Sequence, residues 1–513
     1  MNPVKLTLLG TTFLIGIAGC RVPLQSYRVR HPAIEVPPLI APTEAVAAKS
    51  PAKDCLDPNS PICLAFIEVD DMGEPFDKVE LDSALRVIRQ ANDLAKANPG
   101  QSDPIVITFI HGWKNNASPQ NDNVRGFTAA LQEVYKSFKG THRVIGVYIG
   151  WRGNLIKSYM PVAQQFSYFN REATATRIPG VTLSTALTQI ATRTHENPRA
   201  LAIFIGHSFG GLLLERTLSQ TTGSQIAEAT IYTQEAQETH DPAEISNKTL
   251  AAKLVVDSRA DLVIFINPAG AATEAKQMLD FLTYNRYRYH PLRDAQSATP
   301  EDDTSQRPLF VSLTSTSDLA TKVALPIGHG LPYLGFKSNG SFRDLNQEQN
   351  KKYDLTCFDP QNKEHQYWEL KTKQEGAVAQ GSYYLSSAPH MQILQSHVML
   401  KSVGANQMKV SSTGQTIQIK NSQAIAQCSR DLLNEQGLNV VSTFKLADTQ
   451  ACFAIQERPG RCNGTPYWLM EIDPDVVPDH STIFTQRFIH FIIDTFFAPN
   501  GKPLQRLNPQ LTR

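Results

Sequence analysis

Residues Leu201 to Gly211 read LAIFIGHSFGG: a short apolar run, then Gly206-His207-Ser208-Phe209-Gly210, a further glycine and the helix-prone stretch Leu212-Leu213-Leu214-Glu215-Arg216. An apolar run that passes through glycines into a helical pattern specifies a buried strand, a tight turn and a helix in immediate succession. Ser208 falls on the turn, where the backbone lifts its hydroxyl out of the packed interior. A serine held there is in a strained conformation. Gly206 and Gly210 let the helix pass close to the strand without a Cβ clash.

The rest of the chain has to supply layers that bury such a strand on both faces. Leu64 to Val69, Ile105 to Ile110, Val144 to Ile149, Leu262 to Ile266, Leu309 to Leu313 and Tyr467 to Ile472 read as further strands. Helical patterns lie between them at Asp82 to Ala97, Phe127 to Phe138, Leu183 to Thr194 and about Ala272 to Leu282, with a last helix from about Ile483 to Phe496. Continuous apolar strands alternating with amphipathic helices predict a mostly parallel central sheet flanked by helices. Residues 335–465 are richer in Gln, Asn, Ser and Gly, with weakly alternating segments such as Tyr367 to Leu370 and Thr416 to Lys420. They read as a partly β insertion before the last strand; an appended domain is the alternative. The expected organisation is a leader over 1–19, a Pro- and Ala-rich tether over 20–55, a core over 56–334, the insertion, and the last core elements over 466–500.

The leader sets the compartment. Lys5, an apolar stretch from Leu6 to Ile17 that is too short to span a membrane stably, and Ile17-Ala18-Gly19-Cys20 follow one another. The tetrapeptide resembles the bacterial lipobox, which implies that Cys20 is lipidated and becomes the mature N-terminus. Arg21, rather than aspartate, follows it. In a two-membrane bacterium this favours an outer-membrane site facing the periplasm. Six cysteines remain, and sequence proximity suggests Cys55 with Cys63 and Cys452 with Cys462, leaving Cys357 with Cys428. None forms a C-x-x-C pair, so no metal site is expected. Lys plus Arg is 49 against 48 for Asp plus Glu, so no global field draws nucleic acid. No zinc helix, phosphate loop or dinucleotide fingerprint is present, and no cofactor is implied.

Gly206-His207-Ser208-Phe209-Gly210, between a strand and a helix, resembles the nucleophile elbow of the α/β-hydrolase superfamily, G-x-S-x-G. The resemblance implies that fold, a serine nucleophile at Ser208, and an acid and a histidine following it in that order just past strand ends. Asp318, in Thr314-Ser315-Thr316-Ser317-Asp318, fits the acid; it could equally cap a helix beginning at Leu319. Glu274 is the rival acid, since Asn267 cannot ionise. His480, in Val477-Pro478-Asp479-His480-Ser481, fits the histidine loop, with His329 as runner-up. His207 would point away from Ser208 and pack beside the elbow. The backbone N–H of Phe209 is one expected oxyanion donor. His111-Gly112-Trp113 resembles the His-Gly element of lipases and esterases and offers Trp113, or else Gly112, as the other.

The expected activity is that of a membrane-anchored serine hydrolase acting on acyl esters or lipid-like substrates. Asn154 to Phe169 could form an apolar lid, although such a stretch is more often a connector. A serine peptidase or an acyltransferase would use the same machinery. The reading from a different class is a non-catalytic envelope lipoprotein that binds a partner through this scaffold.

Overall fold

The computed structural model describes residues 26–28, 34–35, 61–97, 103–138, 142–154, 167–238, 255–270, 278, 282, 288–290, 308–315, 317, 318, 320, 466–472, 474 and 476–497, together with short strands between 391 and 457. Seven strands form the parallel centre of one sheet: β1 Ile62–Glu68, β2 Asp103–Ile110, β3 His142–Gly150, β4 Leu201–His207, β5 Leu262–Ile266, β6 Phe310–Ser315 and β7 Tyr467–Ile472. Their spatial order is β1-β3-β2-β4-β5-β6-β7, every neighbouring pair parallel. Beyond β7 the sheet continues through Met391–Gln395, parallel to β7, and then Cys452–Glu457 and Val440–Lys445, both antiparallel additions.

Helices cover both faces. They are α1 Lys78–Ala97, α2 Asp122–Ser137, α3 Tyr168–Arg177, α4 Val181–His195, α5 Phe209–Glu238 and α6 Gln486–Phe496. The two-residue period of a strand divides the core cleanly: Cys63, Ala65 and Ile67 of β1 pack with α1, α4 and α5, whereas Ile62, Leu64 and Phe66 pack with α2 and α6. Burial on both faces explains why these strands are continuous apolar runs. Each buried Ile or Phe contributes about 1.5–3 kcal/mol.

Helix starts lie upstream of the apolar periodicity wherever a polar cap is present. The Asp77 carboxylate takes the Val79 N–H, so α1 begins at Lys78 rather than Asp82; Asn121 likewise takes the Asn123 N–H, and α2 begins at Asp122. The opposite shift occurs in α6, which starts at Gln486 after the cap Thr485. Ile483 is buried ahead of it, and Phe484 lies edge-on to Phe109 at 4.9 Å, so apolar side chains outside the helix continue its pattern.

Two parts of the expected tether are seated on the body. Ile34–Glu35 pairs antiparallel with β1, and Ser26–Arg28 folds over its last residue, Glu68. Most other expectations for the ends and the inserted region concern residues outside those described. These are Cys20 and the leader, the helix near 272–282 apart from residues 278 and 282, most of the lid segment (155–166), Tyr367 to Leu370, Glu274, His329, and Cys55, Cys357, Cys428 and Cys462. Among the described residues no helix is long and apolar enough to cross a membrane.

Candidate active site

Ser208 sits between β4 and α5 with φ +55°, a left-handed conformation that a non-glycine residue adopts at a cost of about 1–3 kcal/mol. Neighbouring main chain holds it there. The Ser208 N–H donates to the Ile266 carbonyl at 3.0 Å, and its own carbonyl accepts from Leu212 and Ala269. Space for the turn depends on the glycines: a Cβ at Gly210 would lie 2.1 Å from the Ile110 carbonyl oxygen, and one at Gly206 would lie 2.5 Å from that of Gly210.

The three residues expected to form the relay come together. His480 Nε2 lies 2.9 Å from Ser208 Oγ, and His480 Nδ1 lies 2.9 Å from Asp318 Oδ2. Asp318 is fully buried, Ser208 is buried, and the His480 side chain is partly open to solvent. The two carboxylate oxygens of Asp318 serve different partners, and the helix from Leu319 that it was expected to cap lies outside the described residues apart from residue 320. Oδ1 takes the Ala320 N–H at 2.8 Å while Oδ2 faces the imidazole. A carboxylate at Nδ1 keeps the proton there and leaves Nε2 as the acceptor for the serine hydroxyl.

His480 has no regular secondary structure around it. Five successive carbonyls fix its loop instead. Val476 accepts from Thr485 Oγ1, Val477 from Ser315 Oγ, Pro478 from Ser317 Oγ, Asp479 from Asn267 Nδ2, and His480 from both Asn267 Nδ2 and His207 Nε2. Asn267 also accepts the Ser315 N–H through Oδ1, tying the ends of β5 and β6 to the loop. Each bond contributes about 1 kcal/mol net and together they leave the imidazole one position. His207 therefore does more than pack beside the elbow. With Nε2–H donating to the His480 carbonyl, its ring orients the residue that faces Ser208.

The His111-Gly112-Trp113 turn lies against the serine. A Cβ on Gly112 would be 2.7 Å from the Ser208 Cβ and 2.9 Å from the His207 carbonyl oxygen. His111 fixes the turn from beneath. Its Nε2 accepts the Trp151 N–H at 3.0 Å, so the proton is on Nδ1, which donates to the Gly112 carbonyl at 2.9 Å. The ring is sandwiched between Tyr148 and Trp151. The backbone N–H groups of Gly112, Trp113 and Phe209 have no acceptor among the described residues; that of Phe209 is unpaired because it opens α5. The Trp113 indole is anchored through Nε1 to Ser167 Oγ and packs on Tyr168, which in turn packs on Phe209.

A methyl group at position 112 has nowhere to go. Gly112→Ala is expected to push the turn off Ser208 and to cost about 1–3 kcal/mol of stability, the usual penalty of overpacking. Urea unfolding measures it.

Burial pushes the His111 pKa down to about 4; burial, followed by the proximity of His480, pushes that of His207 down to about 3. Both rings are neutral in the fold and take up a proton near pH 6.5 once unfolded. The unfolded chain then binds more protons, so stability is present above pH 6.5 and falls as pH drops towards 4. Glu80, pushed up to about 7 by burial, acts in the opposite sense, and the two histidines outnumber it. Urea midpoints are expected to fall between pH 7 and 5, and less steeply in His111→Gln or His207→Gln.

Among the described residues no group of three His, Cys, Asp or Glu could hold a metal ion. The chain matches no protein-family model, and no curated protein or solved structure is significantly similar to it.

Proposed function

We propose that this protein is a membrane-anchored serine hydrolase of the α/β-hydrolase type that cleaves acyl esters. The observation that carries the reading is the continuous relay Asp318 Oδ2, His480 Nδ1, His480 Nε2, Ser208 Oγ, with both contacts at 2.9 Å. It is supported by the parallel sheet, whose carboxyl edge carries all three residues in the chain order that the fold requires.

Ser208 Oγ attacks the ester carbonyl carbon as its proton passes to His480 Nε2. Asp318 stabilises the imidazolium that results. The carbonyl oxygen becomes an oxyanion, met by the Phe209 N–H and by the Trp113 or Gly112 N–H. Collapse breaks the C–O bond to the alcohol, which leaves with the proton from His480. Water then attacks the acyl-enzyme, giving its proton to His480, and release of the acid returns that proton to Ser208. Esters are chosen over amides because a membrane anchor at Cys20 would bring the site to acyl lipids.

A fluorophosphonate probe tests the reading. The purified chain is expected to be labelled and the Ser208→Ala chain to remain unlabelled. An unlabelled wild type, or equal labelling of both, would sink the hydrolase reading.

A further inference from the structure

The chain between Cys20 and the folded body is much shorter than the Pro- and Ala-rich composition of residues 20–55 suggests. Glu68, the last residue of β1, gathers the incoming segment: its carboxylate takes the Ser26 hydroxyl at 2.5 Å, the Tyr27 N–H at 3.0 Å and the Arg28 N–H at 2.7 Å. Arg28 is buried, with its guanidinium 3.2 Å from the centroid of the Phe66 ring. Glu68 N–H in turn donates to Glu80 of α1 at 2.6 Å. The body is thus grasped at Ser26, and only Arg21 to Gln25 separate it from Cys20. Six Cα steps span at most about 21 Å. A free tether running to residue 55 would instead allow on the order of 100 Å.

The grasp is at the carboxyl edge of the sheet, the edge that carries Ser208. Glu68 is level with Gly150 in β3, and β3 is separated from the elbow strand β4 only by β2. Three strand spacings put Glu68 about 14 Å across the sheet from the elbow.

The same edge carries the exposed apolar side chains. Among the described residues the large hydrophobics in solvent are Met72, Val79, Phe169 and Val181, the last 84% exposed. Met72 is in the turn that leaves β1, and Val79 and Val181 are in the first turns of α1 and α4. Both helices start at the carboxyl edge, because one leaves β1 and the other returns to the start of β4. Phe169 opens α3 and lies edge-on to Tyr168, whose ring touches Phe209 next to the serine. Asp71 holds this rim together by ion pairs to Arg152 and to the buried Arg171.

We propose that the carboxyl edge rests on the bilayer that holds Cys20, with Met72, Val79, Phe169 and Val181 at the contact, and that Ser208 takes its acyl groups from lipids of that same bilayer. The inference rests on the membrane-anchored reading above. A short, docked leash fixes which side of the sheet meets the lipid, and the apolar rim lies on that side.

Hydrogen–deuterium exchange tests it on the lipidated chain in nanodiscs of phosphatidylethanolamine and phosphatidylglycerol, against residues 21–513 free in solution. Exchange is expected to slow at least threefold in peptides covering 70–80 and 168–183, with no change at the amino edge in 103–106 and 195–201. Insertion of about thirty Gly and Ser residues after Pro23 is expected to abolish the difference, because a flexible leash of that length releases the body. Met72→Asp combined with Val181→Asp is expected to lower hydrolysis of nanodisc phospholipid at least fivefold and to leave a soluble p-nitrophenyl ester unaffected. Protection at the amino edge, or at neither edge, overturns the proposal. Intact mass of Cys20 and fluorophosphonate labelling of Ser208 separate the two ways of failing. If both modifications are present and the rim is unprotected, only the orientation is wrong; if either is missing, the anchored-hydrolase reading fails and the orientation falls with it.

Discussion

Ser208→Ala is expected to lower turnover of a p-nitrophenyl ester by on the order of 10⁶-fold while the chain stays folded. No other hydroxyl is in the same relation to an imidazole among the described residues; His480 Nε2 meets only Ser208 Oγ. Removing that oxygen removes the covalent route and leaves water to attack beside the remaining N–H donors, which keeps a small residual rate. The effect on stability is expected to be small, because alanine keeps the Cβ and the backbone at φ +55° and only a hydroxyl is lost. A folded variant with the full loss of rate therefore separates an enzyme from a scaffold that merely binds a partner. The left-handed serine, the fully buried Asp318 and the five anchored carbonyls around one histidine are the features that favour the proposed enzyme over a binding scaffold. If turnover survives in Ser208→Ala, the relay is not the source of the activity.

The parallel sheet was legible in the sequence because its strands are buried on both faces. Leu262–Ile266 is a continuous apolar run, and Tyr467–Ile472 is one interrupted only at Glu471. Ser208, Asp318 and His480 were legible through the resemblance to the α/β-hydrolase superfamily, which implies a nucleophile, an acid and a histidine in that order past strand ends. What supports them was not. Asn267, Ser315 and Ser317 are visible as polar residues at strand ends, yet their acceptors are main-chain carbonyls more than 150 residues away, and carbonyls leave no mark in side-chain patterning. His207 could be placed beside the elbow, but its bond to the His480 carbonyl depends on the path of a loop. The seat of the N-terminal segment was hidden for the same reason. Glu68 ends an apolar strand like any solvent-facing residue, and two of the three donors it collects are backbone N–H groups. Helix starts fall between these cases: Asp77 and Asn121 are recognisable caps, but the apolar period begins several residues after them.

The second large effect is expected from Asp318→Asn, a change of one atom that should cost about 10⁴-fold in turnover with stability nearly unchanged. The reason lies in how the two carboxylate oxygens are committed. Oδ1 receives the Ala320 N–H at 2.8 Å and Oδ2 receives His480 Nδ1–H at 2.9 Å. An asparagine has one oxygen, and the Ala320 N–H, which can only donate, requires it. The amide NH₂ then faces Nδ1. Two donors cannot share that contact, so the imidazole moves its proton to Nε2 and presents N–H to Ser208, where it needs a lone pair. The base is lost although every heavy atom keeps its place. Asp318→Ala removes the conflict along with the partner and leaves either tautomer accessible, so it is expected to retain more activity than the isosteric amide. Rates for the two variants, read beside their urea midpoints, decide the matter. An Asp318→Asn chain as active as the wild type would show that His480 does not depend on Asp318 for its tautomer, and the acid would have to be sought elsewhere.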